Sequence, residues 1–94
     1  MKRIFEWDSD KADKNYRKHK ISFEEAAQVF NDPLAFSVHD RVEDGEQRWQ
    51  TIGMIGGTLV LLVAHTVKIN NAEIIRIISA RPVTTKERKR YEHS

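Results

Sequence analysis

Leu59-Val60-Leu61-Leu62-Val63-Ala64-His65 is the stretch on which the fold turns. It is a near-continuous apolar run, without the polar–apolar alternation of a strand that faces water on one side. That pattern predicts a central strand covered on both faces, at least in part. Gly56-Gly57 turns the chain before it and Asn70-Asn71 turns it afterwards. Outward from this core, Arg48 to Ile55 alternates and reads as the preceding strand. Glu73 to Ala80 reads as the last strand, broken by Pro82. Asp44-Gly45 is a strong hairpin signal, and Leu34 to His39 is a candidate strand ahead of it.

The N-terminal third has a different period. Ile4 to Trp7 suggests a short strand, and Asp8, Ser9 or Asp10 can cap a helix running to about His19. Ala12, Tyr16 and His19 recur at helical spacing and are expected to face the core, with Asn15 and Lys18 beside them. Ser22-Phe23-Glu24-Glu25 is a capping box, and Ile21 before it can staple against Ala26. The second helix is expected to reach about Phe30, with Phe23, Ala26, Ala27 and Phe30 inward. Asn31-Asp32-Pro33 ends it, because proline pushes the preceding residue out of helical geometry. Thr84-Thr85-Lys86-Glu87 is a second capping box, opening a short terminal helix. The predicted class is α+β: one small domain over residues 1–94. Its antiparallel sheet carries two N-terminal helices and a short C-terminal helix, with the helices on one side.

Composition narrows the function classes. A chain of 94 residues holds one core. It has no cysteine, which rules out a disulfide framework and a thiolate zinc site. The longest apolar run, Leu59 to Ala64, is far too short to span a membrane. The acidic turn at Glu6 and Asp8 comes before any apolar run that would make a signal peptide, so a cytoplasmic location is expected. Net charge is +2 with a pI of about 9.0. The cations cluster at Lys14, Arg17, Lys18, His19 and Lys20, and again at Arg81, Lys86, Arg88, Lys89 and Arg90. Brought together by the fold, these would form one basic face for a polyanion; kept apart, they simply solvate two helices.

An ordered set of residues resembles a known family. Phe5-Glu6-Trp7-Asp8, Lys11, Asn15, Lys18-His19, Ile21-Ser22-Phe23-Glu24-Glu25-Ala26, Val29-Phe30 and Asp32-Pro33 look like the opening of the BrnT toxins. Arg48 before Ile52-Gly53, the strand ending His65-Thr66, Arg76-Ile77-Ile78-Ser79-Ala80-Arg81, Glu87-Arg88 and Tyr91 look like the remainder. Ser37 to Gln47 matches least. The resemblance implies a RelE-like fold and a ribonuclease that stops translation, as the toxin half of a type II toxin–antitoxin pair. It implies a BrnA-like ribbon-helix-helix antitoxin in a 2:2 heterotetramer. Operator DNA would be reached only through that antitoxin, and the complex would repress its own operon.

RNA cleavage without a metal needs a base for the 2′-hydroxyl, cations for the crowded phosphate, and an acid for the leaving oxygen. Arg81 ends the last strand and is the first candidate for a phosphate clamp; its structural alternative is a salt bridge to Glu87. Arg48 is a similar candidate. His65, Glu87 and Tyr91 are the acid–base candidates, although Glu87 also fits the capping box and Tyr91 could simply pack its helix on the sheet. Arg76, Lys18, His19 and Arg88 are candidate RNA-binding residues. Trp7 and Trp49 read as core or partner contacts. His19, His39, His65 and His93 are far apart and no His-Glu-x-x-His pattern occurs, so neither a metal nor a cofactor is expected. The competing class is a non-catalytic RNA- or protein-binding module or a corepressor, which the same basic residues would serve.

Overall fold

The computed structural model describes residues 1–93. Strand β1 (Arg3–Trp7) leads into helix α1 (Ser9–His19) and helix α2 (Phe23–Ala27), which tightens into a 3-10 turn over Gln28–Asn31. Strands β2 (Phe36–Glu43), β3 (Glu46–Ile55), β4 (Leu59–Ile69) and β5 (Glu73–Pro82) follow, and helix α3 (Thr85–Glu92) closes the described chain. The sheet order is β1-β5-β4-β3-β2.

Local chemistry explains most of these boundaries. Asp8 accepts from the Lys11 amide and caps α1. Ser22 with Glu25, and Thr84 with Glu87, form the two expected capping boxes. Asp44 and Gly45 both have positive φ, 51° and 78°. That suits the tight turn between β2 and β3, whose twist matches the strands it joins.

Three expectations are corrected. The sheet is mixed, not antiparallel, because β1 pairs parallel with β5 from Arg3↔Glu73 to Trp7↔Ile77. Hairpins force β2 to β5 to alternate in direction. β1 is separated from them by two helices, and that crossover frees it from the hairpin rule. The second helix gives way to 3-10 geometry after Ala27 rather than staying α-helical to Phe30. In α1 the buried residue is Asn15, whereas Tyr16 is half exposed. Asn15 turns inward because β1 stops at Trp7 and leaves the rest of the β5 edge without a strand. Its amide donates to the Ala80 carbonyl at 2.9 Å and to the Ile21 carbonyl at 3.1 Å, and its oxygen accepts from the Ala80 amide at 3.1 Å. One side chain thus substitutes for a strand partner.

The central strand is buried on both faces, as its composition requires. On one face Leu61 and Val63 join Ile55, Ile75, Ile77 and Ala80 beneath Ile21, Phe23, Ala26 and Val29. On the other, Val60 and Leu62 join Ile52 beneath Tyr91. The terminal helix α3 therefore lies on the face opposite α1 and α2, which corrects the one-sided layout. Gly53 lets the layers approach: a Cβ there would sit 2.7 Å from Val29 Cγ1 and 3.0 Å from Ala35 Cβ. No helix among the described residues is long and apolar enough to cross a membrane.

Candidate functional site

The short α3 covers only one end of its face. Residues directly opposite in an antiparallel pair share a face, so the register sets out rows across the sheet. One row holds Phe36, Ile52, Leu62 and Arg81, partly roofed by α3. The next holds Val38, Gln50, Ala64 and Ser79. Beyond it lie Arg48, Thr66 and Arg76. Arg81, Arg48 and Arg76 thus share one open face with a fourth arginine, Arg41, which the register sets opposite Arg48; the rows are separated by four residues of β4, or about 13 Å.

Each of these arginines meets a carboxylate. Arg81 makes a two-pronged pair with Glu87, Nη1 to Oε1 at 2.8 Å and Nη2 to Oε2 at 2.9 Å. Glu87 also accepts from the Thr84 amide in the capping box. The guanidinium hydrogen bonds, aided by the Thr84 amide, hold the Glu87 carboxyl well below the usual range, at about 2, against the opposing effect of burial. The same hydrogen bonds raise the pKa of Arg81. Arg48 pairs with Glu43 at 3.1 Å, and Arg76 with Glu46. The Nε of Arg48 is buried and has no hydrogen-bond partner among the described residues. Arg88 sits on α3 and pairs with Glu92 at 3.4 Å.

Tyr91 is at this site but faces inward. Its hydroxyl donates to Asp32 Oδ2 at 2.6 Å, and that bond, with burial, pushes the phenol up to about 12. Burial alone would raise Asp32, but the bonds from Tyr91 and from the Met54 and Leu34 amides outweigh it, and its pKa is lowered. Asp32 was read in the sequence only as part of a helix stop. It is the anchor that ties α3 to the loop after α2. No sequence signal marks that role, since the partner lies 59 residues away.

His65 is not brought to the arginines. It lies on the opposite face, 2% exposed, with its ring edge-on to Phe30 at 5.0 Å. Its Nε2 is 2.6 Å from the Thr51 hydroxyl, which is 2.6 Å from the Ser37 hydroxyl. Burial lowers its pKa, so the neutral ring is favoured. Lys18 and His19 also lie away from the open face, on α1, beside Ile78 and Ser79. The two basic clusters of the sequence are therefore divided by the sheet and do not merge into one face. Trp7 packs edge-on against Phe23 in the core, and Trp49 against His39. Among the described residues no group of three or more histidine or carboxylate side chains is placed to hold a metal ion.

Comparison with known proteins agrees with this architecture. The family described as "Ribonuclease toxin, BrnT, of type II toxin-antitoxin system" matches residues 7–87. The crystal structure of the Brucella abortus ribonuclease toxin BrnT is similar in fold. It has a TM-score of 0.63 and 21% identity, covering 90% of this chain and 100% of that one. Among curated proteins no match is found.

Proposed function

The chain belongs to the BrnT family of ribonuclease toxins of type II toxin–antitoxin systems, and on that premise we propose that it cleaves RNA at the open sheet face without a metal. The observation that carries this reading is the Arg81–Glu87 pair, standing on the same face as Arg48 and Arg76. Partly exposed ion pairs contribute only about 0–1 kcal/mol. A phosphate can therefore take the place of a carboxylate at little cost, and the planar guanidinium fork fits two of its oxygens.

Substrate binding then also prepares the base. While Glu87 is held by Arg81 its carboxylate is a very weak base. Once a phosphate occupies the guanidinium, the main cause of that depression is gone and the carboxylate regains basicity. It can then take the proton of the 2′-hydroxyl. The oxygen attacks the adjacent phosphorus, the bond to the 5′-oxygen breaks as that oxygen takes a proton from solvent water, and a 2′,3′-cyclic phosphate and a 5′-hydroxyl result. Arg81 stabilises the negative charge that builds on phosphorus, while Arg48 and Arg76, in the row about 13 Å along the face, hold flanking phosphates. In this reading Tyr91 and His65 hold the structure: Tyr91 fixes α3, and with it Glu87, while His65 fills the core below the sheet.

The biological setting follows from the family. RNA cleavage in the cytoplasm stops translation, and a BrnA-like ribbon-helix-helix antitoxin covers the open face. Dimerisation of that antitoxin gives a 2:2 complex that represses its own operon, with the antitoxin making the DNA contacts. The test is purified protein with naked single-stranded RNA, with and without EDTA, and analysis of the product ends. Undiminished cleavage in EDTA with 5′-hydroxyl ends is expected. A 5′-phosphate product, or activity abolished by EDTA, would overturn the metal-free mechanism.

A further inference from the structure

The arginines of the open face are all paired with acids, but α1 carries cations that are not. Lys11, Lys14 and Lys18 fall at helical intervals of three and four residues, so they form one stripe. None of the three is in an ion pair among the described residues. Together with His19 and Asn15 they line a groove of about 330 Å³ against Ile78 and Ser79 of β5. Of the two acids on the same helix, Asp13 lines a separate cleft with Trp7 and Tyr16 on the other flank, and Asp10 lies in the first turn and joins no ion pair with the three lysines.

This groove is continuous with the open face through β5. β1 pairs with β5 only as far as Ile77, so beyond it the outer edge of the strand meets no further strand, and the Asn15 side chain fills the place of one at Ala80 alone. The register shift between β4 and β5 leaves Ile78 unmatched, and Ser79 follows it opposite Ala64. Ser79 therefore belongs both to the row between the arginines and to the wall of the lysine groove. A chain leaving the arginines across Ser79 passes over the free edge and onto the lysines.

We infer that the groove between α1 and the free end of β5 is a subsite for the backbone of single-stranded RNA flanking the cleaved phosphate. The inference rests on the ribonuclease reading for its substrate class. Unpaired lysines on a flexible stem suit a sequence-independent phosphate track, because each neutralised phosphate releases counterions. Ile78 adds an apolar floor, and Ser79 a hydroxyl at the crossing.

The test measures the salt dependence of binding to a long 2′-O-methyl oligouridylate, which cannot be cleaved through its 2′-oxygen. Lys11→Gln/Lys14→Gln/Lys18→Gln should bind it more weakly, and the log–log salt slope should fall by about 2, or ~0.7 for each lost contact. The charge-preserving triple Lys→Arg variant should keep the slope, and so should Lys2→Gln, which lies ahead of β1 and outside the groove. Thermal melts of each variant establish that it is folded. An unchanged slope in the folded triple Gln variant overturns the subsite. So does a variant that binds RNA normally but loses an acidic peptide, which would make the groove a protein-docking surface. Wild-type protein is assayed in parallel on the same sequence with free 2′-hydroxyls. Loss of the slope without any cleavage would leave the subsite standing and defeat the ribonuclease reading; cleavage with an unchanged slope would do the reverse.

Discussion

On the proposed mechanism Arg81 and Glu87 carry the chemistry, and single substitutions separate their roles. Arg81→Ala should reduce RNA cleavage by about a hundredfold or more, the usual effect of losing a group aimed at developing charge. Its stability should change little, because partly exposed ion pairs contribute only ~0–1 kcal/mol. A variant that melts much earlier, or that cleaves normally, would make Arg81 structural or irrelevant. Glu87→Gln is the sharper probe. Glutamine can still serve the capping box, so α3 should persist by circular dichroism while cleavage falls; retained activity would remove Glu87 as the base. His65 calls for a different measurement. Its folded pKa is depressed by burial, so the unfolded chain binds the extra proton more readily. This contribution to stability is full above the ordinary value of about 6.5 and is lost as pH falls through the lower folded value. Urea melts across that range should show the loss, and His65→Leu should flatten it. An equal slope in both proteins would refute the assignment.

At the scale of elements, the free edge of β5 and the close approach at β3 are the weak points. Asn15→Ala removes both partners of Ala80 and a donor to Ile21. Buried groups left without partners cost about 1–3 kcal/mol each, so denaturant unfolding should show a loss of at least ~2 kcal/mol. A change within the scatter of surface substitutions, about half a kcal/mol, would mean that water replaces the amide. Gly53→Ala must push Val29 and Ala35 away from the sheet and should cost about 1–3 kcal/mol through overpacking. The capping boxes and the Asp44-Gly45 turn were legible because they depend on neighbours in sequence. The role of Asn15 was not, because its partner Ala80 is 65 residues away.

For the whole molecule, the sheet divides two basic regions with different characters. One face holds arginines matched to carboxylates; the edge beyond β5 holds lysines that join no ion pair among the described residues. On the proposed reading, the partner that neutralises the toxin covers the arginine face. Co-expression with its antitoxin should therefore yield a complex without nuclease activity. Induction of the toxin alone should halt bacterial growth, and Arg81→Ala should relieve that arrest. Growth that continues under wild-type expression, with folded protein present, would count against the toxin reading.

The sequence by itself determined the central strand, the hairpin order from β2 to β5 and both capping boxes. These follow from hydrophobic period and from contacts a few residues long, which a linear chain displays directly. Only the tertiary structure decided that β1 lies parallel to β5, that α3 packs opposite α1, and that His65 is buried while Arg81 is at the rim. Those outcomes depend on which face each side chain takes once distant strands pair. A bulge at Ile78 and a strand that stops at Trp7 are enough to change them.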